Sequence, residues 1–238
     1  MSTHAFGPPA ERRVGLRLAG SSDWRWLGGG FLLAFAVPYV LEDVLAIDRD
    51  VFYGLYALAV IGLFAGWARA TGYDLAAALR RRWAWAAALG ALCGALLALV
   101  VVSSEAATAR PAGLELAGAV VWRGVVYGVT DGLLLSVFPI LVVFRAFART
   151  RLDGRGRDKV AVGAVALLAS LLMTAVYHAG YSDFRSAKLR KPVAGDLVWS
   201  VPTLATLNPV GAPIAHAAMH VTAVIHSYDT NTYLPPHK

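Results

Sequence analysis

Residues 114–147 read LELAGAVVWRGVVYGVTDGLLLSVFPILVVFRAF, and only Glu115, Arg123, Asp131 and Arg145 are charged in that stretch. At a rise of about 1.5 Å per residue it is too long for one straight crossing of a hydrocarbon core roughly 30 Å thick. Glycine and short polar side chains weaken a helix, so Thr130-Asp131-Gly132 is the expected break, with Asp131 as its cap. Pro139 offers a second kink. Two half-length helices cannot each span, so this is one long, broken crossing.

Working outward, apolar segments fall at residues 24–46, 51–70, 83–102, 160–177 and 209–225. Residues 199–207, with Pro202 and two threonines, suggest a short interfacial or re-entrant element. The expected fold is all-α: a polytopic membrane helical bundle of about six transmembrane helices, the fourth long and broken. Residues 1–22 form an N-terminal tail, 23–227 the membrane domain and 228–238 a C-terminal tail. Gly28-Gly29-Gly30 has no preceding strand and no G-x-G-x-x-G register, so it is no phosphate loop.

Composition agrees. The chain is 58% hydrophobic with 16% charged residues, against roughly 25% charged in soluble domains, and its mean hydropathy is +0.57. The formal charge of +7 does not indicate nucleic acid, because the basic residues lie between apolar segments; the expected partner is the lipid bilayer, in a multi-pass cell-membrane protein. A cytoplasmic N-terminus puts Arg12, Arg13, Arg17, Arg69, Arg80, Arg81, Arg82, Arg145, Arg149, Arg151, Arg155, Arg157 and Lys159 inside, and Glu42, Asp43, Asp48, Asp50, Glu105 and Arg110 outside. Arg185, Lys188, Arg190 and Lys191 then fall outside, against the rule. Cys93, the one cysteine, reads as a small apolar filler.

Ionisable groups in hydrocarbon are costly and mark functional sites by default. Arg123, His178, His216 and His220 lie on three apolar segments. His216 and His220, four apart, share one helix face; Glu115, Ala119, Arg123 and Tyr127 form a similar stripe. If the fourth and sixth spans both enter from outside, Arg123 lies about 15 Å down, His216 about 10 Å and His220 about 16 Å, with His178 near the outer face. Asp131, about 27 Å down, is out of reach. His226 is expected at the inner end and His237 in the tail.

At these residues the chain resembles the CPBP family of intramembrane proteases, which includes the CAAX prenyl endopeptidases. That family carries Glu-Glu-x-x-x-Arg, Phe-x-x-x-His and His-x-x-x-Asn/Asp on successive helices. Trp122-Arg123-Gly124, His178 at the end of its span and Pro213-Ile214-Ala215-His216 match in order over residues 113–225. The resemblance implies a helical bundle and an endopeptidase acting on a membrane peptide or protein substrate, with Arg123, His178 and His216 transferring by position. Gly118 and Ala119 stand where the glutamates belong, Thr174 where the aromatic does, and His220 at the final Asn/Asp position.

Three functional classes follow. An intramembrane hydrolase would use Glu115 as general base with Arg123, His178, His216 and His220; Glu115 is one turn, about 5.4 Å, from the expected acid. A metal-binding membrane protein would use His178, His216 and His220 as imidazole ligands for zinc or another transition metal. A non-catalytic member of the same fold would bind a membrane peptide or lipid.

Overall fold

A computed structural model describes residues 21–148, 156–230 and 232–235. Arg12, Arg13, Arg17, Arg149, Arg151, Arg155 and His237 lie outside the described residues. Among the described residues there is no strand.

Helix α1 (Ser21–Pro38) continues as a π-helical turn (Tyr39–Val44), and α2 covers Arg49–Thr71. The exposed Asp48 caps α2, its carboxylate accepting from the N–H of Asp50 at 2.8 Å. Those backbone donors hold its carboxyl below the usual carboxylate range. Gly72 ends the helix at φ +63°, a left-handed conformation that glycine adopts without a Cβ clash. A short α3 (Leu75–Arg80) leads to α4 (Trp83–Ser104).

The long helix, α5 (Gly113–Phe147), does not break at Thr130-Asp131-Gly132. Asp131 and Gly132 are both helical, at φ −59° and −58°. In place of a break the helix carries π-helical turns at Val120–Val126 and Gly132–Val137, which widen the spiral and re-aim side chains without freeing backbone groups. Some 78% of its apolar window is buried, against 22–39% for the other long helices. It is the axle of the bundle.

Helix α6 (Gly156–Ala179) follows, then two 3-10 turns (Ser182–Phe184 and Ala187–Leu189), α7 (Arg190–Trp199), α8 (Val201–Thr206) and α9 (Gly211–His226). Among the described residues five helices are long and apolar enough to cross a membrane, which makes this a multi-pass membrane protein.

Two ends of the bundle can be told apart by their contacts. At the arginine-rich end, Arg145 joins Asp23 at 3.2 Å and donates to the Thr71 carbonyl. At the acidic end, Arg185 pairs with Asp43 at 2.6 Å and Arg123 with Asp50 at 2.8 Å. The misplaced cation cluster is therefore partly neutralised where it lies, since Lys188 also meets Asp183 at 3.5 Å.

The direction of α9 differs from the sequence expectation. Asn208, just before it, donates to the carbonyls of Ala78, Leu79 and Arg81 at 3.0, 2.9 and 2.6 Å, beside α3 at the arginine-rich end. At its other end Thr108 N–H donates to the His226 carbonyl at 3.1 Å, beside the α4–α5 loop. His226 thus lies at the acidic end, opposite to the expected one. The cause is α7 with α8, which together carry the chain through the bundle rather than dipping into one face. Counted with α1, α2, α4, α5, α6 and α9, the α7–α8 pair makes seven traverses among the described residues. Asp196 anchors this broken traverse: its buried carboxylate accepts from Ser200 at 2.6 Å, Ser170 and Thr174 at 3.1 Å and Ser136 at 3.3 Å. Four hydroxyls replace water around the charge.

Glycines set the packing around α9. A Cβ added at Gly124, Gly128 or Gly132 would lie 2.7 Å from Val221, 2.6 Å from Ala217 and 2.6 Å from Pro213 respectively. The ascending series on α5 meets a descending one on α9, so the two run antiparallel at backbone contact. On the opposite side Gly90 and Gly94 of α4 abut Gly211, Ala215 and Ala218. Residues 228–230 and 232–235, expected as a tail, fold back over the acidic end and bury Leu234.

Candidate metal centre

His216 and His220 share a face of α9, as their spacing requires, and both are buried. Because α9 is antiparallel to α5, that face lies level with Asp131 instead of Arg123. His220 Nε2 is 3.4 Å from Asp131 Oδ2. One ligand atom from each of Asp131, His216 and His220 can be chosen so that all lie within 4.8 Å of one another.

The hydrogen bonds around this group define its protons. A carbonyl only accepts, so the 2.7 Å contact between His220 Nδ1 and the Tyr233 carbonyl places a proton on Nδ1. In a neutral His220 the unprotonated Nε2 therefore lies 3.4 Å from the Asp131 carboxylate, an acceptor beside an acceptor, with no hydrogen-bond partner among the described residues. Tyr56 donates to Asp131 Oδ1 at 2.8 Å, leaving Oδ2 for the histidine side. Among the described residues neither ring nitrogen of His216 has a hydrogen-bond partner, although the residue is fully buried against the Trp199 ring at 4.2 Å. Unpartnered buried nitrogens cost free energy, and a carboxylate facing a lone pair adds repulsion. A cation between the three, or a second proton on His220, removes the conflict.

The donor set suits a cation. Two imidazoles and one carboxylate match zinc or ferrous iron chemistry, with positions left open. The Tyr233 carbonyl and the Tyr56 hydroxyl are the outer partners that orient such ligands.

A cavity of about 360 Å³ opens above the group, with Tyr127, Asp131, His178 and His220 at its base. His178 reaches it from the end of α6, with Nδ1–H donated to the Thr174 carbonyl of its own helix at 2.8 Å. Its position in the histidine trio is taken by Asp131 among the described ligand groups. Arg123 does not line the cavity: its guanidinium is held by both oxygens of Asp50 at 2.8 Å and donates to the Tyr228 hydroxyl at 3.0 Å. Glu115 is exposed near the start of α5 and does not line the cavity either.

Behind Asp131 the hydroxyls of Tyr127, Tyr177 and Tyr181 form a chain of 2.9 and 2.8 Å contacts. Sequence reasoning missed this cluster and the placement of Asp131 beside His216 and His220. The glycines at 124, 128 and 132 were the available signal for both, since their four-residue repeat marks the face of α5 that α9 must touch.

No family model, curated protein or solved structure matches this chain.

Proposed function

We propose that Asp131, His216 and His220 hold a transition-metal ion, zinc or ferrous iron in first place, at the base of a cavity inside the membrane, and that the protein is a metal-dependent membrane enzyme. The reading is carried by one observation: His220 Nε2 lies 3.4 Å from the Asp131 carboxylate without a hydrogen-bond partner among the described residues, while Nδ1–H is committed to Tyr233. A bound ion of this kind polarises a substrate oxygen or lowers the pKa of a bound water. Asp131 and His220 line the cavity, so an ion held by them would be reachable by a ligand within it. By the Lys/Arg bias the arginine-rich end is cytoplasmic.

Metal analysis of protein purified without chelator tests this. One equivalent of a transition metal is expected, lost in His216→Ala with the helical circular dichroism unchanged. Metal-free wild-type protein at neutral pH overturns it.

A second reading has one observation of its own. Asp131 is an acid beside His220 on the helix that carries Arg123, so the pair supplies the water-activating acid that the CPBP resemblance lacks at Gly118 and Ala119. The hydrolase is then metal-free and cleaves a membrane peptide. Peptide cleavage by chelator-treated protein, lost in Asp131→Asn, would select it.

A further inference from the structure

The cavity above Asp131 and His220 is lined from the end of the bundle to its interior. Its walls include Leu97 and Val100 of α4, Ala194 and Val198 of α7, and Met219 of α9. Its rim holds Ser104, at the end of α4, and Lys191, in the first turn of α7. From Ser104 down to Leu97 is seven residues, about 10 Å of helix. The slot thus starts at the acidic end of the bundle, at headgroup level, and descends into the hydrocarbon. Val100 is 43% exposed and Ala194 is also exposed, so the α4–α7 side opens toward lipid.

Lys191 is the lysine or arginine that lines the cavity, while Glu105, next to Ser104, accepts from the Thr230 hydroxyl at 3.3 Å. Arg185 and Lys188 have acidic partners, but Lys191 forms no ion pair among the described residues. Arg190 stands exposed beside it, and the first turn of α7 has no acid. Two cations at a helix N-terminus oppose the helix dipole, a cost that an anion at this position relieves.

The walls discriminate between kinds of occupant. An extended peptide in hydrocarbon must find a partner for every backbone N–H and C=O. Most of the polar groups along the slot are committed: His178 Nδ1 is bonded to Thr174, His220 Nδ1 to Tyr233, and the Ser104 hydroxyl to the Tyr233 hydroxyl at 3.0 Å, which leaves the buried Trp199 Nε1–H as a donor without a partner among the described residues. A saturated chain needs none.

We infer that the slot binds a single-chain lipid with an anionic headgroup, the head at Lys191 and the chain running down between α4 and α7 to Tyr127 and His220. The part of the ligand presented to Asp131 and His220 is then its chain, about 10 Å below the head. This binding does not require the metal.

The test uses the full-length protein in phosphatidylcholine nanodiscs, with oleoyl lysophosphatidate and monoolein as probes that share one chain and differ in charge. Lysophosphatidate is expected to bind roughly fivefold tighter, the worth of one surface cation near an anionic head. Lys191→Glu removes that preference while monoolein binding persists. Val100→Trp, which fills the slot from the lipid side, abolishes binding of both at unchanged unfolding temperature. Equal binding of the two lipids by wild-type protein, or undiminished binding in Val100→Trp, overturns the inference. So does displacement of lysophosphatidate by an equimolar extended apolar heptapeptide. Metal content measured on the same samples separates the two proposals: His216→Ala retains lipid binding if the slot is as described, whether or not the wild type carries metal.

Discussion

Gly128 rests on the backbone of Ala217, where a Cβ would come within 2.6 Å of the Ala217 Cα. Gly124 on Val221 and Gly132 on Pro213 repeat the contact one turn to either side. This antiparallel seam places Asp131 beside His220 and carries Arg123 away to Asp50.

Widening the seam separates Asp131 from His216 and His220. Gly128→Val is expected to destabilise the protein by about 2 kcal/mol or more through overpacking, lowering the thermal unfolding midpoint in detergent. Gly118→Ala, at a helical position with nothing within 4 Å, is neutral or stabilising by up to about 1 kcal/mol.

Metal binding should follow proximity rather than family position. On the proposed metal reading, Asp131→Asn is expected to abolish metal retention. Glu115→Gln, an exposed site on α5, leaves it at wild-type stoichiometry. Elemental analysis of the two purified variants decides between them.

Tyr56 donates to the Asp131 oxygen that does not face His220. Tyr56→Phe keeps the ring packing and removes only that hydrogen bond, so affinity for added zinc falls about 10–100-fold. Competition against a chelating dye measures it. An unchanged affinity would show that Asp131 needs no outer partner.

Arg123 and Asp50 form a partly exposed pair, their side chains 19% and 44% accessible. Solvent screening limits its worth to about 1 kcal/mol. Arg123→Ala should cost that much in stability without altering metal content, and the exchanged pair Arg123→Asp with Asp50→Arg should recover part of the loss. Denaturant midpoints provide the comparison.

The direction of α9 can be read by cysteine labelling in a Cys93→Ser background. Ala187→Cys and Asp229→Cys are expected to react with an impermeant maleimide from the same side of the membrane. Leu79→Cys should react from the other side. Labelling of Leu79→Cys and Asp229→Cys from one common side would remove a traverse and return α9 to the parallel direction.

The sequence alone determined the all-α membrane class, because a charge deficit and long apolar runs leave backbone polar groups no partner but their own helix. It also determined that His216 and His220 share a face, a consequence of helical period. The tertiary structure decided what that face meets. Arg190–Trp199 holds Arg190, Lys191 and Asp196, too polar to read as part of a crossing until Ser136, Ser170, Thr174 and Ser200 surround the Asp196 carboxylate. That extra traverse reverses α9, and the glycine seam fixes its register on α5. Local spacing records which residues lie on one helix face; the partner across the interface depends on chain direction and close packing between distant segments, and so Asp131, not Arg123 or Glu115, became the neighbour of the histidines.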